Sequence, residues 1–187
     1  ARLLLSGPPG SGKRTLVGQL AQKIVEEDAA FCIVRIPFEA SDDSVRSLMR
    51  VYGAFIASMG RGVGFDTPPA ELLETAAGNT DNERTKTWLE TIAKNVRGMA
   101  AAKKGGDFRI DLPRDNPFLA LLQALDVVAP RTRWAIELSA VGNCTSAAFW
   151  TFLSALLGRA NSRTWKMLFI ASPGENLYSE SPEKSTP

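Results

Sequence analysis

The sequence predicts an α/β fold with a mainly parallel sheet and helices on both faces. Four short segments are apolar along their whole length, which is typical of strands buried on both sides. Longer segments with apolar residues at helical spacing separate them. Because parallel strands need crossover connections of this kind, strands and helices are expected to stack in three layers.

Two strands and one helix are predicted in the first 38 residues. The apolar run 2–6 predicts a buried strand, and the β-branched run 30–38 predicts a second strand that ends at Pro37. Residues 15–27 are predicted to form the helix between them. Its apolar face is expected to contain Leu16, Leu20 and Ile24.

Two longer helices with a loop between them are predicted next. Residues 41–60 begin with a capping signal and an acidic first turn, and 82–103 repeat apolar residues at helical spacing. Residues 61–81 are rich in glycine, proline and small polar residues, which predicts a loop with room for one helical turn at 69–76. The inward faces are expected to be Val45, Leu48, Met49, Tyr52, Phe55 and Ile56 in the first helix, and Trp88, Leu89, Ile92 and Val96 in the second.

The carboxyl-terminal half again alternates helices and strands. An exposed loop is predicted at 104–115, followed by an apolar helix at 116–129 with a proline near its first turn. Strands are predicted at 133–139 and 165–172, with a buried helix at 145–160 between them. The chain therefore ends its ordered part on a strand.

The composition limits the classes of function. With 187 residues, 44% of them hydrophobic, the chain can bury the core of one large domain. A net charge of +2 does not indicate nucleic acid as a partner, and the absence of histidine excludes histidine-based catalysis and most zinc sites. No apolar run reaches the roughly 18 residues of a membrane span. Cys32 and Cys144 are predicted to be buried thiols of a reducing compartment, which indicates a cytoplasmic location.

The boundaries predict one domain within a longer protein. The domain is expected to cover residues 1–177, with an insert of loops and helix near 61–115. A polar tail rich in proline and serine at 178–187 is expected to be flexible. Because the chain starts at Ala1 and enters a strand at once, we expect a fragment whose partners include other domains of the same protein.

The loop between the first strand and the first helix matches a phosphate-binding pattern. Its sequence GPPGSGKRT has the spacing G-x-x-x-x-G-K, after a strand and before a helix, as such a loop requires. Glycines let backbone N–H groups turn toward a phosphate, the helix N-terminus adds a partial positive charge, and the lysine reaches the β- and γ-oxygens. The predicted nucleotide-binding residues are Gly7, Pro8, Pro9, Gly10, Ser11, Gly12, Lys13, Arg14 and Thr15.

Arg14 departs from this pattern at the position that normally supplies a hydroxyl to Mg²⁺. A guanidinium is a permanent cation and cannot bind another, so it either points away from the site or offsets phosphate charge itself. Thr15 keeps a hydroxyl that can reach the α-phosphate. Phosphate binding is therefore expected to survive, whereas Mg²⁺-assisted hydrolysis is expected to be weakened.

The order of motifs over about residues 2–177 resembles the NACHT-type nucleoside triphosphatases of the STAND signalling class, especially fungal ones with immune-receptor-like architecture. The segment LSAVGNC (138–144) lies where that family has an acidic hDxhDEC motif, and FIASPGE (169–175) lies where it has hhhTSRPE. The resemblance implies a three-layer P-loop fold with ATP or ADP as ligand. It also implies a switch in which the nucleotide state governs oligomerisation, so other copies of the chain are implied partners.

The chain departs from that family on the metal side of the site. Ser139 stands where the family has the metal-holding aspartate, and Gly142 and Asn143 stand where it has the next acidic pair. Pro173 stands where an arginine is expected. Because the glycines and Lys13 are kept, this pattern predicts a domain that binds nucleotide with little or no turnover, and it puts Mg²⁺ binding in question.

Glu137 offers an alternative carboxylate for a metal. It precedes Ser139 by two residues on the same strand, so both side chains lie on one face of the sheet and the carboxylate can reach a metal there. The other interpretation, favoured by the short apolar run before Glu137, is an ion pair with a nearby arginine such as Arg131 or Arg133.

Two other classes of function stay open. Nucleoside monophosphate kinases also carry a non-hydroxyl residue between the lysine and threonine of this loop, although their arginine-bearing monophosphate segment has no counterpart here. An N-K-x-D motif for guanine is also missing. A protein-interaction scaffold that binds no nucleotide is the other class, with Trp88, Trp150 and Trp165 as partner anchors. Each of these lies on an apolar face, which favours core packing instead.

Overall fold

The computed structural model describes residues 2–4, 12, 15, 16, 18–20, 23, 31–40, 42–102, 108–161 and 165–171. Its strands are β1 (Arg2–Leu4), β2 (Phe31–Pro37), β3 (Arg133–Ser139) and β4 (Lys166–Ala171). They form one sheet in the order β1-β4-β3-β2, and every neighbouring pair is parallel. The predicted α/β class with a parallel sheet is confirmed.

The helices with assigned bounds are α1 (Ser44–Arg61), α2 (Pro69–Gly78), α3 (Glu83–Ala102), α4 (Pro117–Val128) and α5 (Ala147–Ala160). Residues 15, 16, 18–20 and 23 are helical as well. The predicted helices at 41–60, 82–103, 116–129 and 145–160 are confirmed, with ends that shift by a few residues. None of the helices within these ranges is long and apolar enough to cross a membrane.

The main core lies on one face of the sheet. Alternate residues of the two neighbouring strands β2 and β3 point into it, and α1, α4 and α5 cover them. Two residues of β4 also belong to this core, so its strand residues are Cys32, Val34, Ile36, Trp134, Ile136, Leu138, Met167 and Phe169. Both Cys32 and Cys144 are free and buried, as predicted, and burial raises the pKa of the Cys32 thiol to about 12.

The opposite face of the sheet also buries apolar residues. Ala135 and Ile170 point to that side and are almost fully buried, yet they lie outside the main core. The connection from β1 to β2 crosses the sheet in the direction opposite to the later connections. Because such crossovers are right-handed, the helix that follows β1 is expected to cover this second face. In that helix Leu20 is half-buried, whereas Leu16 is 53% exposed, so the predicted apolar face was wrong at Leu16.

Two predictions about the helices need correction. The loop predicted at 61–81 contains a full ten-residue helix, α2, which starts at Pro69 in the first-turn position that proline favours. It is held by tertiary packing, because Ala70, Leu73 and Ala77 are buried on one side of it. In α1, the predicted inward residues Val45 and Met49 are 65% and 39% exposed.

The rest of the predicted inward face of α1 is confirmed, since Tyr52, Phe55 and Ile56 are fully buried. Val45 and Met49 lie on the same side of the helix as Tyr52 and Ile56. They are exposed because they lie in the first two turns, before the part of α1 that packs into the core. The predicted inward face of α3 is confirmed, since Trp88, Leu89, Ile92 and Val96 are all buried.

Candidate functional site

The strand order brings the phosphate-loop motif and the second motif to one edge of the sheet. All strands are parallel, so the carboxyl ends of β1, β4 and β3 lie at the same edge. The ends of β1 and β3 are two strand spacings apart, about 10 Å. The connections after β1 and β3 run in opposite directions across the sheet, which is the topological switch point where open α/β sheets bind ligands.

Two of the predicted phosphate-loop residues, Gly12 and Thr15, are described by the structure. Gly12 has φ +76°, in the left-handed region that favours glycine. Its carbonyl oxygen accepts the N–H of Leu16 at 2.9 Å, which has the four-residue spacing of a helical hydrogen bond. The chain therefore turns at Gly12 into a helix, as a phosphate loop requires. The remaining predicted residues lie outside the described part: Gly7, Pro8, Pro9, Gly10, Ser11, Lys13 and Arg14.

Glu137 and Ser139 contact each other at the carboxyl end of β3. The Ser139 hydroxyl donates to Oε1 of Glu137 at 3.1 Å, and Nε of Arg35 lies 3.2 Å from Oε2. Arg35 faces Glu137 directly across the β2–β3 ladder, whereas the Arg133 guanidinium lies over the Phe31 ring. Glu137 is therefore an ion-paired residue, but its partner comes from the neighbouring strand, and both of its oxygens are engaged.

The turn after β3 carries polar groups that tie it to its neighbours. Asn143 donates through Nδ2 to the Phe38 carbonyl oxygen at 3.4 Å, and the buried Cys144 thiol donates to Oγ of Ser47 at 3.7 Å. Gly142 is exposed. Across the described ranges, three or more acidic, cysteine or histidine side chains never come together in a way that could hold a metal. The donor set at this turn therefore does not fit Mg²⁺, which prefers carboxylate oxygens.

A charge cluster around the buried Asp42 follows β2 at the same edge, and no sequence motif predicted it. The Asp42 side chain is fully buried; its Oδ2 lies 2.6 Å from Nε of Arg50 and accepts the N–H of Glu39 at 2.9 Å. Nη2 of Arg50 also contacts the Glu39 carboxylate at 2.8 Å. Burial by itself would raise the pKa of Asp42, but the Glu39 N–H and the Arg50 guanidinium outweigh it and lower that pKa.

The sequence held a signal for this cluster. Asp42 and Asp43 precede α1, and Arg50 lies two helical turns inside it. The pattern predicts a capping signal and an acidic first turn here, and Asp43 does accept the Arg46 N–H as the N-cap. Asp42 instead fixes the segment after β2 to α1.

Ala140 holds a strained backbone conformation at the point where β3 ends. Its φ of 55° and ψ of 42° are left-handed, which costs an L-residue about 1–2 kcal/mol. We expect Ala140→Gly to raise the free energy of unfolding by about 0.5–1 kcal/mol, because the strain relieved exceeds the extra freedom of glycine in the unfolded chain. Urea unfolding measures this. Ala148→Gly, in the first turn of α5, is the control and should lower stability by up to about 1 kcal/mol; equal losses in both variants would contradict strain at Ala140.

Comparisons with known proteins gave no match, either to a family model, to a curated protein or to a solved structure. The loop motif, the strand order and the contacts at the edge of the sheet are therefore what supports a function.

Proposed function

We propose that this chain is a NACHT-like P-loop domain that binds ATP or ADP with weak or no hydrolysis, and that it acts as a signalling or scaffold module. The observation that carries the proposal is the left-handed Gly12 at the start of the helix, inside the sequence GPPGSGKRT. A glycine of this conformation lets the loop present its N–H groups to a phosphate next to the positive end of the helix.

The fold supports the same proposal. A three-layer P-loop fold needs a helix on each face of the sheet, and the burial of Ala135 and Ile170 agrees with a helix on the second face. It also needs the loop after β1 to share an edge with the end of β3, and the strand order satisfies this requirement. A cytoplasmic location is part of the proposal, supported by the two free, buried thiols.

The contacts of Glu137 support weak hydrolysis over an active enzyme. An NTPase or kinase that used Glu137 would need its carboxylate free for a metal or for the attacking water. The oxygens of that carboxylate are held by Arg35 and Ser139 instead. Ser139, Gly142 and Asn143 supply no carboxylate of their own.

The exposure of the tryptophans bears on the scaffold alternative. Trp88 and Trp165 are buried in the core, so they are not available as partner anchors in the folded chain. Trp150 is 43% exposed, although its indole N–H donates to the Cys144 carbonyl oxygen at 3.1 Å. A scaffold without nucleotide would therefore depend on Trp150 among these three residues.

We expect ATP and ADP to stabilise the chain, with or without Mg²⁺. A ligand present at 100 times its Kd raises the free energy of unfolding by about 2.7 kcal/mol, which thermal unfolding detects. Lys13→Ala is expected to abolish most of this gain, because the lysine supplies the charge that faces the phosphates. Lys23→Ala, at an exposed lysine of the helix that follows the loop, is the control and should leave the gain in stability unchanged.

Each other outcome is also informative. A gain in stability that appears only when Mg²⁺ accompanies the nucleotide, together with steady phosphate release, would show an active NTPase and contradict weak hydrolysis. A gain with GTP alone would contradict ATP or ADP as ligand. The absence of any gain with all three nucleotides would favour the scaffold, and an equal loss in Lys13→Ala and Lys23→Ala would place the nucleotide elsewhere.

A further inference from the structure

A pocket of about 290 Å³ lies at the other end of the sheet from the candidate nucleotide site. Its walls come from the last turn of α1, residues 62–68, the start of α2 and the end of α3. Arg61 donates to the Ile33 carbonyl oxygen at 2.9 Å, and Thr132 donates to the Gly64 carbonyl oxygen. Ile33 lies in the first half of β2, and Thr132 directly precedes β3. Because these residues hold Arg61 and Gly64 next to the pocket, the pocket lies near the amino ends of the strands.

The floor of this pocket is apolar. Met59, Ala70 and Val96 are buried and line it, and the half-buried ring of Phe65 forms a side wall. Phe65 packs edge-on against Trp134, with ring centroids 5.8 Å apart, so the wall is supported by the core. A floor of this kind favours an apolar or aromatic body of a ligand.

The rim of the pocket carries unbalanced negative charge. Asp66 and Glu71 are exposed there, and within the described ranges neither carboxylate has an ion pair. Arg97 is the cation among the described residues that line the pocket, and it is bound through two nitrogens to the Glu74 carboxylate, with Nε 2.8 Å from Oε1. Because the Glu74 carboxylate offsets the Arg97 charge, the carboxylates of Asp66 and Glu71 give the described part of the rim a negative charge.

We propose that this pocket is a second binding site, for a small organic cation with an apolar body, such as an arylalkyl ammonium ion. The volume lies at the small end of the range for ligand pockets, which suits a single ring with a short chain and excludes a nucleotide. The ring occupies the floor of Met59 and Val96, and the ammonium group lies between Asp66 and Glu71. An anion of the same size is repelled by the rim and finds Arg97 already paired.

The test compares three probes of nearly equal shape: 2-phenylethylammonium, 2-phenylethanol and phenylacetate, followed by chemical shifts of the backbone amides at pH 7. We expect the cation to bind with a Kd on the order of 1 mM, as nine non-hydrogen atoms allow. The shifts should concentrate in 59–71 and 96–100. The alcohol should bind more weakly, and phenylacetate more weakly still. Equal binding of all three, shifts outside these segments, or no binding of the cation would overturn the proposal.

Variants separate the charge of the rim from the shape of the pocket. Asp66→Asn and Glu71→Gln are each expected to weaken the cation about 2- to 5-fold, the range for exposed ion pairs, and to leave the alcohol unchanged. Glu90→Gln, an exposed change two turns before Arg97 on α3, is the control and should have no effect. Ala100→Phe fills the pocket from an exposed position. It should abolish binding of both the ammonium ion and the alcohol, while the proposed ATP binding at the other site is kept. Unchanged affinity in Ala100→Phe would also overturn the proposal.

Discussion

Replacement of Trp134 by alanine is expected to lower the free energy of unfolding by about 3–5 kcal/mol, the range for large aromatic residues in a core. Trp134 has no exposed surface and lies on β3 between Cys32 of β2 and Met167 of β4. Its ring contacts Phe55 of α1, with centroids 6.1 Å apart, and Phe65 of the segment before α2. Its loss therefore opens a cavity where the sheet meets two other elements.

Urea unfolding of Trp134→Ala, Trp134→Phe and Trp150→Ala tests this expectation. Trp134→Phe keeps a ring in the core and removes an indole N–H that has no hydrogen-bond partner within the described structure, so it should cost less than half as much. Trp150→Ala changes a partly exposed residue and should also cost less. A loss below about 1 kcal/mol in Trp134→Ala would contradict the packing described for β3.

Replacement of Arg50 by methionine is expected to lower the free energy of unfolding at pH 7 by about 3 kcal/mol, because it leaves the Asp42 carboxylate buried without a counter-charge. The value lies at the low end for a broken buried pair, since the Arg50 side chain is 29% exposed. Methionine keeps most of the apolar stem of arginine, so the change reports the charge more than the packing.

The loss in Arg50→Met is expected to shrink as the solution is acidified from pH 7 toward about pH 4. In the unaltered chain the pKa of Asp42 is lowered, so its stabilisation is complete above the unfolded pKa and declines as the pH falls through the native value. In the variant, burial without the guanidinium raises that pKa, so the penalty is present at neutral pH and disappears once the carboxyl is protonated. Both effects make the difference in free energy of unfolding between the unaltered chain and Arg50→Met smaller at low pH.

The comparison is controlled by a double variant that combines Asp42→Asn with Arg50→Met. The double variant removes both charges, and the amide oxygen introduced at position 42 can still accept the Glu39 N–H. It should therefore be more stable than Arg50→Met at pH 7, and its stability should depend less on pH. Lys94 lowers the pKa of Asp111 in every one of these chains, so its effect cancels in the differences. A loss in Arg50→Met that stays constant with pH would contradict an uncompensated charge at Asp42.

The secondary structure was largely predictable because it depends on local pattern. The apolar runs of β2 and β3 and the helical spacing in α3 appear as predicted, since a residue's place in a strand or helix fixes the face on which it lies. Gly12 was predictable for the same reason, because its position in GPPGSGKRT requires a turn into a helix. By contrast α2 was predicted only as one helical turn at 69–76, because the composition of this segment favours a loop and the burial of Leu73 extends the turn into a full helix.

The site was predictable only in part. The phosphate loop is a local pattern, so the sequence identified its residues, and nucleotide binding stays a prediction. The pairing of Glu137 with Arg35 was not predictable, because it depends on which residues the β2–β3 register places side by side. The sequence placed Asp42 only within a capping signal and an acidic first turn, since its burial against Arg50 requires the fold of the segment after β2.

The sequence by itself therefore determined the class of fold, the positions of most helices and strands, and the loop on which the proposal of nucleotide binding rests. Only the tertiary structure decided the strand order, the partner of Glu137, the burial of Asp42, and the apolar pocket beneath Asp66 and Glu71. The physical reason is the range of the interactions. Helical and strand patterns repeat within a few residues, whereas the Arg35–Glu137 ion pair and the pocket join residues tens or a hundred positions apart, whose contact depends on how the whole chain packs. Arg50 is close to Asp42 in the sequence, but the burial of Asp42 depends on the same packing.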